Sequence, residues 1–109
     1  MAEKLETILS RGELNGRMKD FYDIYLIYTT SWNNINISDF RNSIRNTFSR
    51  REYAGEPYVA INFIRESSIM RQRWNSYTRK NKYASKLDFD EILDCIENIT
   101  KQIDSVVAS

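Results

Sequence analysis

From Phe89 onward, apolar side chains return at steps of three and four residues, at Phe89, Ile92, Ile96, Ile99, Ile103 and Val106. That period puts all of them on one stripe of an α-helix, whereas a strand would send them to both of its faces. A stripe of this length must be buried against other elements, so the rest of the chain has to supply matching faces. Asp88 and Glu91 form a capping-box-like pair at its start. The 109 residues include only 3 Gly and 1 Pro, too few for the closely spaced turns of a sandwich or barrel. The expectation is therefore all-α: a single compact bundle of four to five helices, forming one domain with no room for a second core.

The partners are readable upstream. Leu5, Ile8 and Leu9 recur at helical spacing between Ala2 and Ser10, with Glu3 and Glu6 early, where carboxylates suit the helix dipole. This first helix ends near Gly12, and Asn15-Gly16 is a turn signal. Arg17 to Thr29 reads as a second helix carrying Phe21, Ile24, Tyr25, Ile27 and Tyr28; a strand over Tyr22 to Thr29 is the competing reading. Ser31 to Asn34 reads as a loop, and Ser38 as the N-cap of a third helix with Phe40, Ile44 and Phe48, running to about Arg51. Gly55-Glu56-Pro57 interrupts the pattern, and Tyr58 to Ile64 stays open between a short helix and an extended connector. Ser67 offers an N-cap for a helix through about Lys82, with Met70, Trp74 and Tyr77 on one side.

A net charge of +1 conceals a gradient. Residues 1–40 hold 4 basic and 6 acidic side chains, residues 41–82 hold 10 and 3, and residues 83–109 hold 2 and 6. A middle of +7 between flanks of −2 and −4 suits contact with phosphate; an ordinary solvated helix surface is the equally open alternative. With no histidine, imidazole ligands, the usual general base and all Ser-His or Cys-His nucleophiles are excluded, leaving carboxylates, Lys, Tyr and Arg. Cys95 stands alone, so no internal disulfide forms, and it reads as a small buried hydrophobe beside the last helix's apolar face. Without a signal region or an apolar run of about 18 residues, the expectation is a soluble, cytoplasmic protein with no membrane partner.

Two early segments are more specific than any periodicity: Ala2-Glu3-Lys4-Leu5-Glu6-Thr7-Ile8-Leu9-Ser10-Arg11, and Asn15-Gly16-Arg17-Met18-Lys19-Asp20-Phe21-Tyr22-Asp23-Ile24-Tyr25. They resemble the Ala-Glu-Lys and Arg-x-Lys-Asp-x-Tyr-Asp motifs of the AbiEii/AbiGii toxin family of nucleotidyltransferases, the toxin half of bacterial phage-defence toxin-antitoxin pairs. Looser likeness continues through Thr47-Phe48-Ser49-Arg50-Arg51, Arg73-Trp74-Asn75-Ser76-Tyr77 and Phe89-Asp90-Glu91. The resemblance covers essentially the whole chain, but only the C-terminal half of a typical member. It implies an N-terminal half with a Gly-Ser turn for the nucleotide phosphates and an Asp-x-Asp pair for metal. Neither is found in this chain, whose only Asp-x-Asp, Asp88-Phe89-Asp90, reads as helix capping and not as a metal site. Because nucleotidyl transfer needs in-line geometry and neutralised phosphate charge, the chain is expected to be inactive alone and to need that missing half as its partner. Because Met1 falls directly before Ala-Glu-Lys, the expectation is a deliberately shortened chain or a split gene whose start was placed at a domain boundary.

The resemblance also implies roles. Lys4 corresponds to a catalytic or nucleotide-contacting lysine, and Asp20 to an essential acidic position that orients Lys4 or a substrate hydroxyl, or accepts a proton. Asp20 and Asp23, three residues apart, share a helix face and can both meet a cleft with Lys4 and Lys19, which makes Lys19 and Asp23 further nucleotide-binding candidates. Local pairing with Arg17 or Lys19 is the plainer explanation of these carboxylates, and packing that of Tyr22. Arg50, Arg51, Arg71, Arg73, Arg79, Lys80 and Lys82 are candidate RNA contacts, interleaved with Tyr53, Trp74 and Tyr77 as possible stacking rings. The implied co-substrates of the complete enzyme are Mg and a nucleoside triphosphate, GTP by resemblance, with a cognate antitoxin and tRNA or another RNA as partners. Two further readings stay open: a helical RNA-binding module without catalysis, and an interaction domain that dimerises through an exposed interdomain surface.

Overall fold

The computed structural model describes residues 2–12, 17–51 and 57–107, with side chains through residue 102. Asn15-Gly16, Tyr53, Gly55-Glu56 and the side chains of Ile103 and Val106 lie outside that set. Six helices follow one another: α1 (Ala2–Arg11), α2 (Met18–Ser31), α3 (Ile37–Arg50), α4 (Pro57–Glu66), α5 (Ser68–Lys80) and α6 (Phe89–Val107), with 3₁₀ turns at Trp32–Asn34 and Lys82–Ala84. No strand occurs among the described residues. All-α holds among the described residues, which form six α-helices and not four to five. The radius of gyration, 13.5 Å, is that of one compact domain of this size, about 13 Å.

The extra helix is the segment left open above. Pro57 has no amide hydrogen to lose and a φ already suited to a first turn, and Pro57, Ile61 and Ile64 bury one face while Val59 and Phe63 stay outside. A strand over Tyr22 to Thr29 is ruled out, because this stretch lies within α2. Helix α3 begins earlier than Ser38: the Asn36 side chain accepts the Asp39 amide at 3.1 Å, and Asn caps as well as Ser. Ser67 does cap α5, accepting the Met70 amide at 3.2 Å, and that helix stops at Lys80.

Helix α6 is the hub, packing against α2, α3 and α4, while α1 lies across α3, α2 and α4, and α5 closes over α2 and α4. Ile92, Leu93, Ile96 and Ile99 are fully buried against Leu5, Ile8, Phe21, Ile24, Ile44, Ile61, Ile64 and Met70. Each such side chain contributes about 1.5–3 kcal/mol relative to exposure. Trp74 is anchored by its indole N–H to the Leu87 carbonyl at 3.0 Å and stacks between Tyr77 and Phe89 at centroid separations of 5.4 and 5.8 Å.

Tertiary ion pairs account for much of the charge gradient. Arg65 of α4 reaches Asp90, Asp94 and Glu97 of α6 at 3.3, 3.0 and 3.4 Å. Arg71 of α5 grips both oxygens of Asp90 at 2.7 and 3.2 Å, which holds the Asp90 carboxyl below its usual range. Arg51 bonds Glu6 at 2.9 Å. The basic middle is thus partly neutralised by the acidic ends that fold onto it.

Candidate functional site

Lys4 sits on α1, where Leu5, Ile8 and Leu9 turn inward and leave it on the flank facing α2. On α2, Phe21 and Ile24 are buried in the core, and their helical phase places Asp20 and Asp23 together beside α1. The Lys4 ammonium donates to Asp23 at 2.5 Å and lies 3.6 Å from Asp20. Asp20 is nearly inaccessible, with 5% of its side chain exposed, while Lys4 keeps 39%. The hydrogen bond to Asp23 raises the Lys4 pKa above its ordinary 10.5, against a smaller opposing effect of burial and helped by the charges of both aspartates. The ammonium is therefore fixed and fully charged at neutral pH.

Beside this cluster a cleft of about 650 Å³ opens between the start of α2 and the length of α5. Arg17, Lys19, Arg73 and Lys80 line it, Tyr77, Gln72 and Asn81 add polar groups, and Met18 and Ile69 contribute apolar surface. Among the described residues no acidic side chain lines it. Four cations, Arg17 just before α2, Lys19 on α2, and Arg73 and Lys80 on α5, line one concavity and form a region of positive potential suited to a multiply charged anion. Two residues join cleft and cluster. Arg17 lines the cleft and approaches Asp20 to 3.8 Å. Tyr77 also lines it; burial, its hydroxyl contact with Tyr83 and the nearby charge of Asp23 push its phenol well above 10.

The structure thus brings Lys4, Asp20 and Asp23 into contact and sets Lys19, Arg73 and Lys80 in the adjoining cleft. It does not bring Arg50 and Arg51 there: they face α1, pairing with Glu3 at 3.5 and 3.8 Å, and Arg51 also with Glu6. Arg71 is engaged with Asp90, and Arg79 does not line the cleft. Trp74 is 2% exposed, so it is a core residue and no stacking platform. Tyr22 packs edge-on against Tyr83, in keeping with its reading as a packing residue. Arg17, Gln72 and Asn81 were not singled out from sequence; for Arg17 the signal was available, since it opens the quoted Arg-x-Lys-Asp segment. Cys95 is half-buried, and burial pushes its thiol pKa above 9.0.

Divalent metal fits poorly. Among the described residues no three carboxylate, thiol or imidazole groups converge, and Asp20 and Asp23 already share the Lys4 ammonium. Asp88 and Asp90 add no such site, Asp90 being held by two arginines. The donor chemistry is that of an anion site. No helix among the described residues is long and apolar enough to cross a membrane.

What these features define is an all-helical domain that sets a charged Lys-Asp-Asp cluster beside a cationic cleft. Residues 1–95 match the family described as nucleotidyl transferase AbiEii toxin, Type IV TA system, and the chain belongs to that family. Membership implies a toxin of a toxin-antitoxin pair, with a cognate antitoxin. No curated protein and no solved structure matches the chain.

Proposed function

We propose that this chain is the helical, substrate-gripping part of a nucleotidyltransferase toxin that acts in bacterial phage defence. In this reading Lys4 and the cleft cations hold the phosphates of a nucleoside triphosphate, and a further domain supplies the metal-binding carboxylates. The observation that carries it is the contact of Lys4 with both Asp20 and Asp23, a cluster that does not itself line the cleft of four cations but is joined to it through Arg17, 3.8 Å from Asp20. The aspartates keep the ammonium charged and restrict its position, so little conformational freedom is lost when a phosphate oxygen docks on it. Asp20, buried between Lys4 and Arg17, is a positioning residue: it orients both cations toward the anion. Lys19, Arg73 and Lys80 neutralise the remaining phosphate charge. With the metal-binding carboxylates assigned to that further domain, the chain alone is expected to bind nucleotide without transferring it. GTP is the expected nucleotide and an RNA end, such as that of a tRNA, the expected acceptor.

The test is nucleotide transfer and growth arrest by a toxin that joins this chain to its catalytic domain. Lys4→Ala and Asp20→Ala should each abolish both, whereas Arg50→Ala, on the opposite flank of α1, should leave both intact. Undiminished transfer by Lys4→Ala would overturn the assignment.

One observation favours a second reading, an RNA-binding module without catalysis: Arg73 and Lys80 lie in the same cleft as Lys19, as a track for a phosphate backbone requires. On that reading single-stranded RNA binds and nucleoside triphosphates do not. Val59 and Phe63, one turn apart on α4 and exposed by 66% and 58%, are the apolar side chains that the catalytic domain or a second copy would cover, and sedimentation of the chain alone would show a dimer.

A further inference from the structure

Tyr83 is an exposed ring that is nonetheless fixed. It retains 57% of its surface in solvent, on the 3₁₀ turn that follows α5. Its hydroxyl is hydrogen-bonded to that of Tyr77, its ring meets Tyr77 at 83° with centroids 6.2 Å apart, and Tyr22 packs on it at 4.9 Å and 62°. Tyr77 is itself stacked on Trp74, which is locked into the core. The aromatic series running from Phe89 through Trp74 and Tyr77 therefore ends at a ring held from two directions and bare elsewhere. These ring pairs stabilise the fold in themselves, and they also hold the solvent-facing side of Tyr83 in a fixed orientation; every nucleobase presents a π-face that stacks on rings of this kind.

Its place in the molecule narrows the occupant. Tyr77, the residue that Tyr83 bonds, is a wall of the cationic cleft, so the bare ring stands one residue beyond the region that attracts phosphate. We infer that Tyr83 is the platform for the base of a nucleoside triphosphate whose phosphates lie between Arg17, Lys19, Arg73 and Lys80, an inference that rests on the phosphate-cleft reading above. Tyr77 is the positioning residue, since its hydroxyl and ring set the angle of Tyr83. Stacking is tolerant of base identity, so this contact supplies affinity for a nucleoside and little choice among the four bases.

The experiment is titration of the full 109-residue chain with GTP, ATP, CTP and UTP, and separately with inorganic tripolyphosphate, which has the charge and no base. The wild-type chain should bind both classes, the nucleotides more tightly. Tyr83→Ala should weaken nucleotide binding roughly five- to hundredfold, the range expected for loss of a base-stacking ring, and leave tripolyphosphate binding unchanged. Tyr83→Phe, which keeps the ring and removes the hydroxyl, should retain most nucleotide affinity and guards against a folding defect in the alanine variant. Unchanged nucleotide binding by Tyr83→Ala, an equal loss for both ligands, or equal wild-type affinity for nucleotides and tripolyphosphate would each overturn the inference while leaving the cleft reading in place. A wild-type chain that binds neither ligand would remove the cleft reading and this one with it.

Discussion

Replacing Lys4 by Met keeps the aliphatic stem of the side chain and deletes its charge, which isolates the electrostatic contribution of the cluster. Two unit charges about 4 Å apart attract by roughly 4 kcal/mol at the effective dielectric of a protein surface, but desolvation offsets most of this. An exposed pair is worth about 0–1 kcal/mol, while removing one partner of a fully buried pair costs about 3–5 kcal/mol. The cluster lies between those limits: Asp20 is buried, Lys4 is 39% exposed, and Arg17 remains 3.8 Å from Asp20 when Lys4 is gone. Lys4→Met should therefore cost about 1–2 kcal/mol, seen as a fall in Tm of about 5–15 °C for a domain of this size. Combined with Asp20→Asn, the loss should be smaller than the sum of the two single losses by about 1 kcal/mol, because each substitution removes the other's partner. The Lys4 pKa is raised on folding, so its contribution is complete below pH 10.5 and disappears as pH rises through the folded value. The stability gap between wild type and Lys4→Met should be constant from neutral pH to about 10 and should narrow above that. Thermal or urea unfolding of the four proteins measures all of this, and losses that add to within about 0.3 kcal/mol would refute the claim that Lys4 and Asp20 act as one unit.

Arg65→Ala, which frees Asp90, Asp94 and Glu97 of one shared partner, should lower stability by about 1 kcal/mol at low salt and by less at high salt, as paired urea titrations would show. Trp74→Phe should cost about 1 kcal/mol through the loss of the indole bond to the part-buried Leu87 carbonyl, while Trp74→Ala, which leaves a cavity beneath Tyr77, should cost about 3–5 kcal/mol. Cys95, half-buried with its thiol pKa raised, should react with iodoacetamide at pH 8 several times more slowly than a free thiol does.

Periodicity carried the fold. The stripe from Phe89 to Ile99 that made α6 legible is the surface on which the other helices assemble. Pro57 to Glu66 was harder to read because Val59 and Phe63 make it apolar on both faces, so no single stripe separates helix from strand. Local rules favour Ser38 as a cap, but they favour Asn equally, and it is Asn36 that accepts the Asp39 amide. At the site, Lys4, Asp20 and Asp23 were legible from the motif-like segments and the three-residue spacing of the aspartates. The allocation of the arginines was not, since nothing local distinguishes Arg51, paired with Glu6 forty-five positions away, from Arg73 in the cleft. Tyr83 carries no sequence signal at all: it lies in a turn, outside any helical period, and acquires meaning only from Tyr77 and Tyr22.

Polyphosphate binding in the cleft between the start of α2 and α5 is the central property of this chain as a nucleotide-gripping domain. Calorimetric titration of the chain with tripolyphosphate at about 20 and 200 mM salt addresses it directly. Binding that is measurable at low salt, falls several-fold at high salt, and vanishes in Arg73→Glu/Lys80→Glu while the helical content stays unchanged is the predicted result. An absence of heat at low salt, or equal affinity in the charge-reversed protein, would contradict it.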